Sequence, residues 1–146
     1  LTLFAAASFN DTELVFVDPA FDIVVADAGS MLPLTPETQF SLRARYEWDM
    51  GNDMGAHWQL GYKYAGEALN SIVDTADEPN TMQDSYGIVD GSVGFENYGA
   101  GWGVELFVSN LTVERAQLHI NRQDFFERVT TNRPRTIGLR VSYDVN

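Results

Sequence analysis

The sequence predicts an antiparallel all-β fold, an up-and-down segment of a transmembrane β-barrel with about six strands. Three observations support this prediction. Six segments alternate apolar and polar side chains with a period of two, which is the period of a strand and not of a helix. The connections between these segments run long, short, long, short and long, which is typical of outer-membrane barrels. Large aromatic residues lie on the apolar face beside the two short connections.

The first three strands follow directly from this alternation. Residues 1–9 (LTLFAAASF) place leucine, alanine and phenylalanine on one face of an extended chain. Residues 40–48 (FSLRARYEW) alternate without a break and put Arg43 and Arg45 on the face opposite the aromatic rings. Residues 58–64 (WQLGYKY) repeat the pattern with a tryptophan, a leucine and two tyrosines aligned. Each of these segments is therefore predicted to be a strand with two different faces.

The last three strands carry the same period. They are predicted at residues 86–96 (YGIVDGSVGFE), 102–110 (WGVELFVSN) and 135–145 (RTIGLRVSYDV). In all three, valine, leucine or isoleucine alternates with serine, threonine or a charged residue. Phe4 and Phe107 break the alternation, because each falls among the polar side chains of its strand.

The connections differ in length and in charge. Two are short glycine-rich turns, at about 49–57 and 97–101. Two of the three long ones, at about 10–39 and 65–85, carry acidic residues and no basic residue. The third, at about 111–134, is rich in arginine and includes the stretch 115–120, where one or two helical turns are expected.

Large aromatic residues mark one level of the apolar face. If the chain runs up and down, the rings next to the short turns fall at the same end of the sheet. This set is Trp48, Trp58, Phe95, Trp102 and Tyr143. Such a girdle is expected where side chains meet the boundary between membrane and water. The alternative is that the rings fill the end of a small soluble barrel, where five large side chains would be crowded.

Composition restricts the classes of protein that fit. The chain has 146 residues, enough for one domain, and we treat residues 1–146 as one unit. It has no cysteine, and its formal net charge of −12 argues against a nucleic-acid partner. No apolar run approaches the roughly 20 residues of a membrane-spanning helix. Because the chain begins with Leu1 inside a predicted strand, we expect a mature protein or a piece of a longer one.

No motif predicts catalysis, a metal site or a cofactor. The acidic stretch DTADEP lacks the spacing and the central glycine of a calcium-binding EF-hand loop. His57 and His119 are far apart in the sequence, in a turn and a loop, and no third metal ligand accompanies them. We therefore expect a protein that is not an enzyme and that carries no metal.

Three segments resemble a known family. They are LFVSNLTVERAQ (106–117), TTNRPRTIGLRVSYDV (130–145) and LPLTPETQFSLRARYEW (32–48). The first two are similar to the next-to-last and closing strands of TonB-dependent outer-membrane receptors, and the third to an earlier strand of the same barrels. The resemblance implies a 22-stranded barrel closed by an N-terminal plug, of which this chain is the C-terminal part with the last six strands. Neither the plug nor a TonB box is visible in this sequence.

The resemblance also implies a function and partners. A receptor of this family takes up a scarce nutrient through the outer membrane with energy from the TonB complex, which acts through the plug. A ferric siderophore is the family default, and cobalamin or an oligosaccharide is possible. The implied partners are the remaining barrel strands, the plug, outer-membrane lipid and lipopolysaccharide. Two other functions stay open: a passive porin-like channel and a small soluble ligand-binding barrel.

The receptor interpretation assigns places to two sets of basic residues. The first set is expected to face the lumen, where the plug or the ligand lies: Arg43, Arg45, Lys63 and Arg140. The second set lies in the last long connection and would bind a ligand or lipopolysaccharide phosphates outside the cell: Arg122, Arg128 and Arg133. Neighbouring acidic connections are an alternative partner for the second set.

Overall fold

The computed structural model describes residues 1–18, 26, 28–73, 81–121 and 126–144. In this part of the chain the regular secondary structure consists of ten β-strands. They are β1 (Thr2–Phe9), β2 (Thr38–Gly51), β3 (Met54–Ala65), β4 (Ala68–Leu69), β5 (Met82–Gln83), β6 (Tyr86–Asn97), β7 (Trp102–Ser109), β8 (Gln117–Asn121), β9 (Arg128–Thr131) and β10 (Thr136–Tyr143). Within the described residues, no helix has the length and apolar character needed to cross a membrane.

The six long strands form one antiparallel sheet in the order β1-β2-β3-β6-β7-β10. Each long strand pairs with the next long strand along the chain, so the sheet is an up-and-down meander. The prediction of an all-β fold with six antiparallel strands is confirmed. The sheet is open, because β1 and β10 are its two edges and form no ladder with each other in the described part of the chain.

The strand register keeps the two faces separate across the whole sheet. One row on the apolar face joins Trp48, Ala56, Phe95, Val104 and Val141 from five strands. The next row on the opposite, polar face joins Glu47, His57, Gly94, Glu105 and Arg140. Because side chains alternate along each strand and the ladders stay in register here, the predicted faces are preserved from β2 to β10.

The two short connections are tight turns at one end of the sheet, which we call the turn end. Asn52 and Asp53 both have positive φ, 53° and 59°, as the two central residues of a type I′ turn require. The second turn is closed by a hydrogen bond of 2.8 Å from the Gly101 amide to the Asn97 carbonyl. The Tyr98 amide donates to the Asp53 carbonyl, also at 2.8 Å, so the two turns are joined.

The three long connections lie at the other end, the loop end, and two of them contain short hairpins of their own. The hairpin β4-β5 lies between β3 and β6, and the hairpin β8-β9 lies between β7 and β10. The expected helical turn at 115–120 is wrong, because β8 runs from Gln117 to Asn121 and pairs with β9. The backbone of Ile120 in β8 also pairs with a side-chain amide, which satisfies its polar groups outside a helix.

Buried amide side chains join two of the long connections. Asn70 donates from Nδ2 to the Ile120 carbonyl at 2.6 Å, and its Oδ1 accepts the Ile120 amide at 2.7 Å. Gln83 Nε2 donates to Asn70 Oδ1 at 2.9 Å and to the Leu118 carbonyl at 3.0 Å. The side chain of Asn70 thus acts as an added strand residue beside β8, and the two hairpins are held together.

Asn110 closes the connection that follows β7. Its side chain is 3% exposed and its φ is 55°. Nδ2 donates to the carbonyls of Glu114 and Arg133, at 2.8 and 3.1 Å, and Oδ1 accepts the Glu114 amide at 2.8 Å. The Asn110 amide donates to Asp90 Oδ1 at 3.0 Å. One residue therefore ties the start and the end of the last long connection to β6.

The buried apolar residues are mostly small and lie mainly near the loop end. They are Ala56, Ala65, Ala68, Leu69, Ala116 and Ile120. In contrast, the apolar face of the sheet is not covered by the described residues: Leu60 in the centre is 48% exposed and Leu139 near the edge is 65% exposed. A soluble domain normally buries such a face in its core. This fold is unusual because its buried apolar residues lie mainly near the loop end and not on the apolar face of the sheet.

Candidate functional site: the polar face of the sheet

The four basic residues predicted to face the lumen all lie on the polar face. Arg43 is paired in register with Phe4 of β1 and Gly61 of β3. Arg45 and Lys63 lie on the same face of β2 and β3, and Arg140 on the same face of β10. The register therefore brings together charged side chains that are up to 97 positions apart in the sequence (43 to 140).

Three of these four cations have a carboxylate partner. Arg45 Nε lies 2.7 Å from Glu47 Oε1, and Lys63 Nζ lies 3.4 Å from Asp90 Oδ2. Arg140 Nη1 contacts Glu105 Oε2. The Arg43 side chain has no hydrogen bond or ion pair with any described residue. The partly exposed pairs contribute little to stability, but they leave the polar face with one unpaired guanidinium.

Two grooves run along the polar face. The central groove has a volume of about 320 Å³ and is lined by Phe4, Arg43, Gly61, Asp90 and Phe107, among others. The second groove, nearer the turn end, has a volume of about 360 Å³ and is lined mainly by polar side chains. Both volumes are in the size range of small-molecule sites. The polar face is therefore grooved, and charged side chains line both grooves.

His57 is the buried titratable residue of this face, at 5% exposure. Its Nδ1 lies 3.8 Å from Glu96 Oε1 and its Nε2 lies 3.8 Å from Glu105 Oε1. Nε2 makes no hydrogen bond within the described part of the chain. The sequence predicts His57 in a turn, but the structure places it inside β3, because the hairpin turn is only two residues long. The described residues contain no group of three potential ligands that could hold a metal ion.

The ring of His57 covers Gly94, its neighbour in register on β6. A Cβ on Gly94 would lie 2.7 Å from His57 Nε2, so the ring would have to move. We expect Gly94→Ala to destabilise the protein by about 1–3 kcal/mol, measured as a lower midpoint of denaturant unfolding. Gly91→Ala is the matched control, since its Cβ would meet only ordinary contacts at 3.7 Å or more. Equal midpoints for both variants would contradict the covering role of His57.

Phe107, which breaks the polar alternation, has a defined place. Its ring covers Gly138 of β10, where an added Cβ would lie 2.7 Å from Phe107 Cε1. The Arg140 guanidinium carbon lies 5.5 Å from the centroid of the same ring, within the range of a cation–π contact. Phe4, the other exception, is 56% exposed and has no such partner ring within the described residues.

The aromatic residues predicted as a girdle lie on the apolar face in three successive rows near the turn end. Trp58 is in the first row, Trp48 and Phe95 are in the second, and Trp102 and Tyr143 are in the third. The prediction omitted Tyr46, whose ring stacks on Trp48 at 5.7 Å and lies 6.4 Å from Trp58. Its place in the alternation of β2 was the signal that could have found it.

A second aromatic cluster lies toward the loop end of the apolar face and was also missed. Phe40 stacks on Tyr64, with ring centroids 5.0 Å apart, and lies 5.7 Å from Tyr62. Tyr64 is ten residues from Met54, which shares a row with Trp102 and Tyr143. Ten residues correspond to about 33 Å along a strand, so the aromatic side chains of the two bands together extend over most of the length of the sheet. The nearest members of the two bands, Trp58 and Tyr62, are separated by the row of Leu60.

The arginines of the last long connection are not all described. Arg128 and Arg133 are exposed, in β9 and just before β10. Arg122 lies outside the described residues. The Arg133 carbonyl, and not its side chain, accepts the hydrogen bond from Asn110 Nδ2. The structure therefore places two of the three residues at the loop end and leaves their binding role a prediction.

Comparison with protein-family models, with curated proteins and with solved structures gives no match for this chain. The function is therefore inferred from the sequence pattern and from the geometry of the sheet. The sheet can separate two environments, because one face is apolar and uncovered and the other is charged and grooved.

Proposed function

We propose that this sheet is part of the wall of an outer-membrane TonB-dependent receptor, which takes up a scarce nutrient with energy supplied through TonB. The observation that carries this proposal is the uncovered apolar face, opposite a face with four basic and several acidic side chains. In a membrane barrel the apolar face meets lipid and the charged face lines the lumen. Arg43, Arg45, Lys63 and Arg140 would then face the plug or the passing ligand.

The spacing of the aromatic bands supports contact with lipid. A strand tilted by about 40° rises about 25 Å along the membrane normal for each 33 Å of its length. This rise is close to the height of the apolar band of outer-membrane barrels, about 25 Å, which is flanked by aromatic girdles on both sides. The outermost aromatic rows, those of Tyr64 and of Trp102, would therefore lie near the two membrane–water boundaries, with Trp58, Leu60 and Tyr62 at intermediate depth.

The two edges of the sheet support further strands on both sides. All residues of β1 are exposed, and Thr2–Phe9 contains neither a charge nor a proline that would protect an edge. In lipid, each unpaired amide or carbonyl costs several kcal/mol, so open edges cannot stay unpaired. Additional strands of the barrel are the partners that fit. In this topology the loop end lies outside the cell and the turn end faces the periplasm, with lipopolysaccharide near Arg128 and Arg133.

The ligand follows from the resemblance and not from the described geometry. A ferric siderophore is the default, and cobalamin or an oligosaccharide would use the same architecture. A passive porin-like channel is the second candidate, because the grooved and charged face would equally suit a water-filled pore. A small soluble barrel has less support, since the described edge strands do not pair and the apolar face is exposed.

Cell fractionation tests membrane residence. We expect the polypeptide that carries these residues in the outer-membrane fraction, extracted only by detergent, with a denatured mass several times the 16.3 kDa of this sequence. Recovery in the soluble fraction without detergent would contradict the proposal. Active uptake is tested separately by ferric-siderophore import with and without TonB. Import that continues without TonB would favour the passive channel.

A further inference from the structure

Arg43 is unpaired because the carboxylate in its own row is already engaged. Asp90 lies two strands away across Gly61. Its Oδ2 is 3.4 Å from Lys63 Nζ, and its Oδ1 accepts the Asn110 amide at 3.0 Å. The Arg43 guanidinium, with five fixed N–H donors, is therefore left without an acceptor among the described residues.

The glycine beside Arg43 is also left uncovered. Elsewhere on the polar face, rings cover glycines: His57 covers Gly94 and Phe107 covers Gly138. At Gly61, a Cβ would meet only backbone oxygens and the Asp90 Cβ, at 3.9 to 4.0 Å, and no ring of the described residues. The floor of the central groove next to Arg43 is thus a flat stretch of backbone with space above it.

We propose that Arg43 and Gly61 form a subsite for an aromatic carboxylate. The carboxylate would accept two parallel hydrogen bonds from the Arg43 guanidinium, which matches its planar fork. The ring would lie on Gly61 as the protein's own rings lie on Gly94 and Gly138. Phe4, paired in register with Arg43 on the side away from Gly61 and more than half exposed, lines the same groove.

The chemistry of the groove favours this ligand over a simple anion. A phosphate or acetate ion would use only the guanidinium and would leave the open surface at Gly61 uncovered. The groove volume of about 320 Å³ also exceeds what a small inorganic ion needs. The claim that this subsite lies on an import route rests on the proposed function. The claim that it binds an aromatic carboxylate does not.

Binding of benzoate to the whole protein in detergent tests the subsite, with acetate as the ligand that lacks a ring. We expect Arg43→Gln to weaken benzoate binding about tenfold, since a charge-assisted bidentate contact is lost. Gly61→Leu should weaken benzoate binding by a similar factor and leave acetate binding within twofold. Arg115→Gln is the control, because Arg115 is an exposed arginine outside the groove.

Three outcomes would overturn the subsite: no benzoate binding by the wild-type protein, equal affinity in Arg43→Gln, or equal losses in Arg43→Gln and Arg115→Gln. The first is the result expected if a carboxylate of another protein segment already occupies Arg43. Circular dichroism checks that each variant keeps its sheet. Fractionation separates this inference from the proposed function. A membrane-resident protein that does not bind benzoate would contradict only the subsite. A soluble protein that binds benzoate would contradict the proposed function and support the subsite.

Discussion

Under the proposed function, arginine in place of Leu60 is expected to prevent accumulation of the protein in the outer membrane, whereas arginine in place of Gln59 is expected to leave accumulation there unchanged. Leu60 lies on the apolar face between the two aromatic bands and is 48% exposed. At this level an arginine that faces lipid costs about 2–4 kcal/mol. Gln59 is the neighbouring residue at nearly the same depth, and it lies on the polar face in register with Arg45 and Ser92.

The measurement is the amount of each variant in the outer-membrane fraction, together with its resistance to extraction by urea. The pair is well matched, because both variants add the same charge to the same strand. A soluble barrel with the apolar face inside would also reject arginine at Leu60, but it would need no detergent. Equal membrane yields for Leu60→Arg and Gln59→Arg would contradict the assignment of the faces.

Alanine in place of Asn110 is expected to lower the free energy that holds the last long connection in its folded position by about 2–4 kcal/mol. The substitution removes two donated hydrogen bonds and one accepted bond at a buried site, and an unsatisfied buried polar group costs about 1–3 kcal/mol. Alanine also tolerates the positive φ of this position less well than asparagine. The effect should be local, because the ladders of the six-stranded sheet do not depend on this side chain.

Limited proteolysis in detergent measures this effect. We expect faster cleavage of Asn110→Ala within residues 111–135, with no change in the mass of the protected sheet fragments. Asn110→Asp is the informative control, because it keeps the oxygen that accepts the Glu114 amide and loses the two donated bonds. Its cleavage rate should be at least as high as that of Asn110→Ala, because the second carboxylate oxygen would face the carbonyls of Glu114 and Arg133 in a buried site. An unchanged cleavage pattern for Asn110→Ala would show that the connection is held by other contacts.

The sequence predicted the six long strands well, because the alternation of apolar and polar side chains shows which residues lie on each face of a strand. Strand β2 shows this most clearly, with an unbroken alternation from Phe40 to Trp48 that its ladders with β1 and β3 confirm. The ends of the strands differ from the predicted bounds, since β2 extends to Gly51 and β3 begins at Met54. The first turn was expected to span several residues, but positive φ at Asn52 and Asp53 allows a two-residue turn and extends both strands.

The candidate site could be predicted only in part. Alternation was enough to place Arg43 and Arg140 on one face, but it carried no information on which cation finds a carboxylate. That depends on the register between strands that are distant in the sequence, as for Lys63 with Asp90 and Arg140 with Glu105. The same register places His57 on Gly94 and leaves Gly61 open.

By itself, the sequence determined the all-β class, the number and antiparallel direction of the long strands, and the two faces of the sheet. These properties are local, because the period of two follows from the geometry of each extended segment. Only the tertiary structure decided the open edges, the pairing of charges, and the packing of the long connections around Asn70 and Asn110. These features depend on contacts between distant segments, for example Asn70 with Ile120, and no periodicity within one segment can encode them.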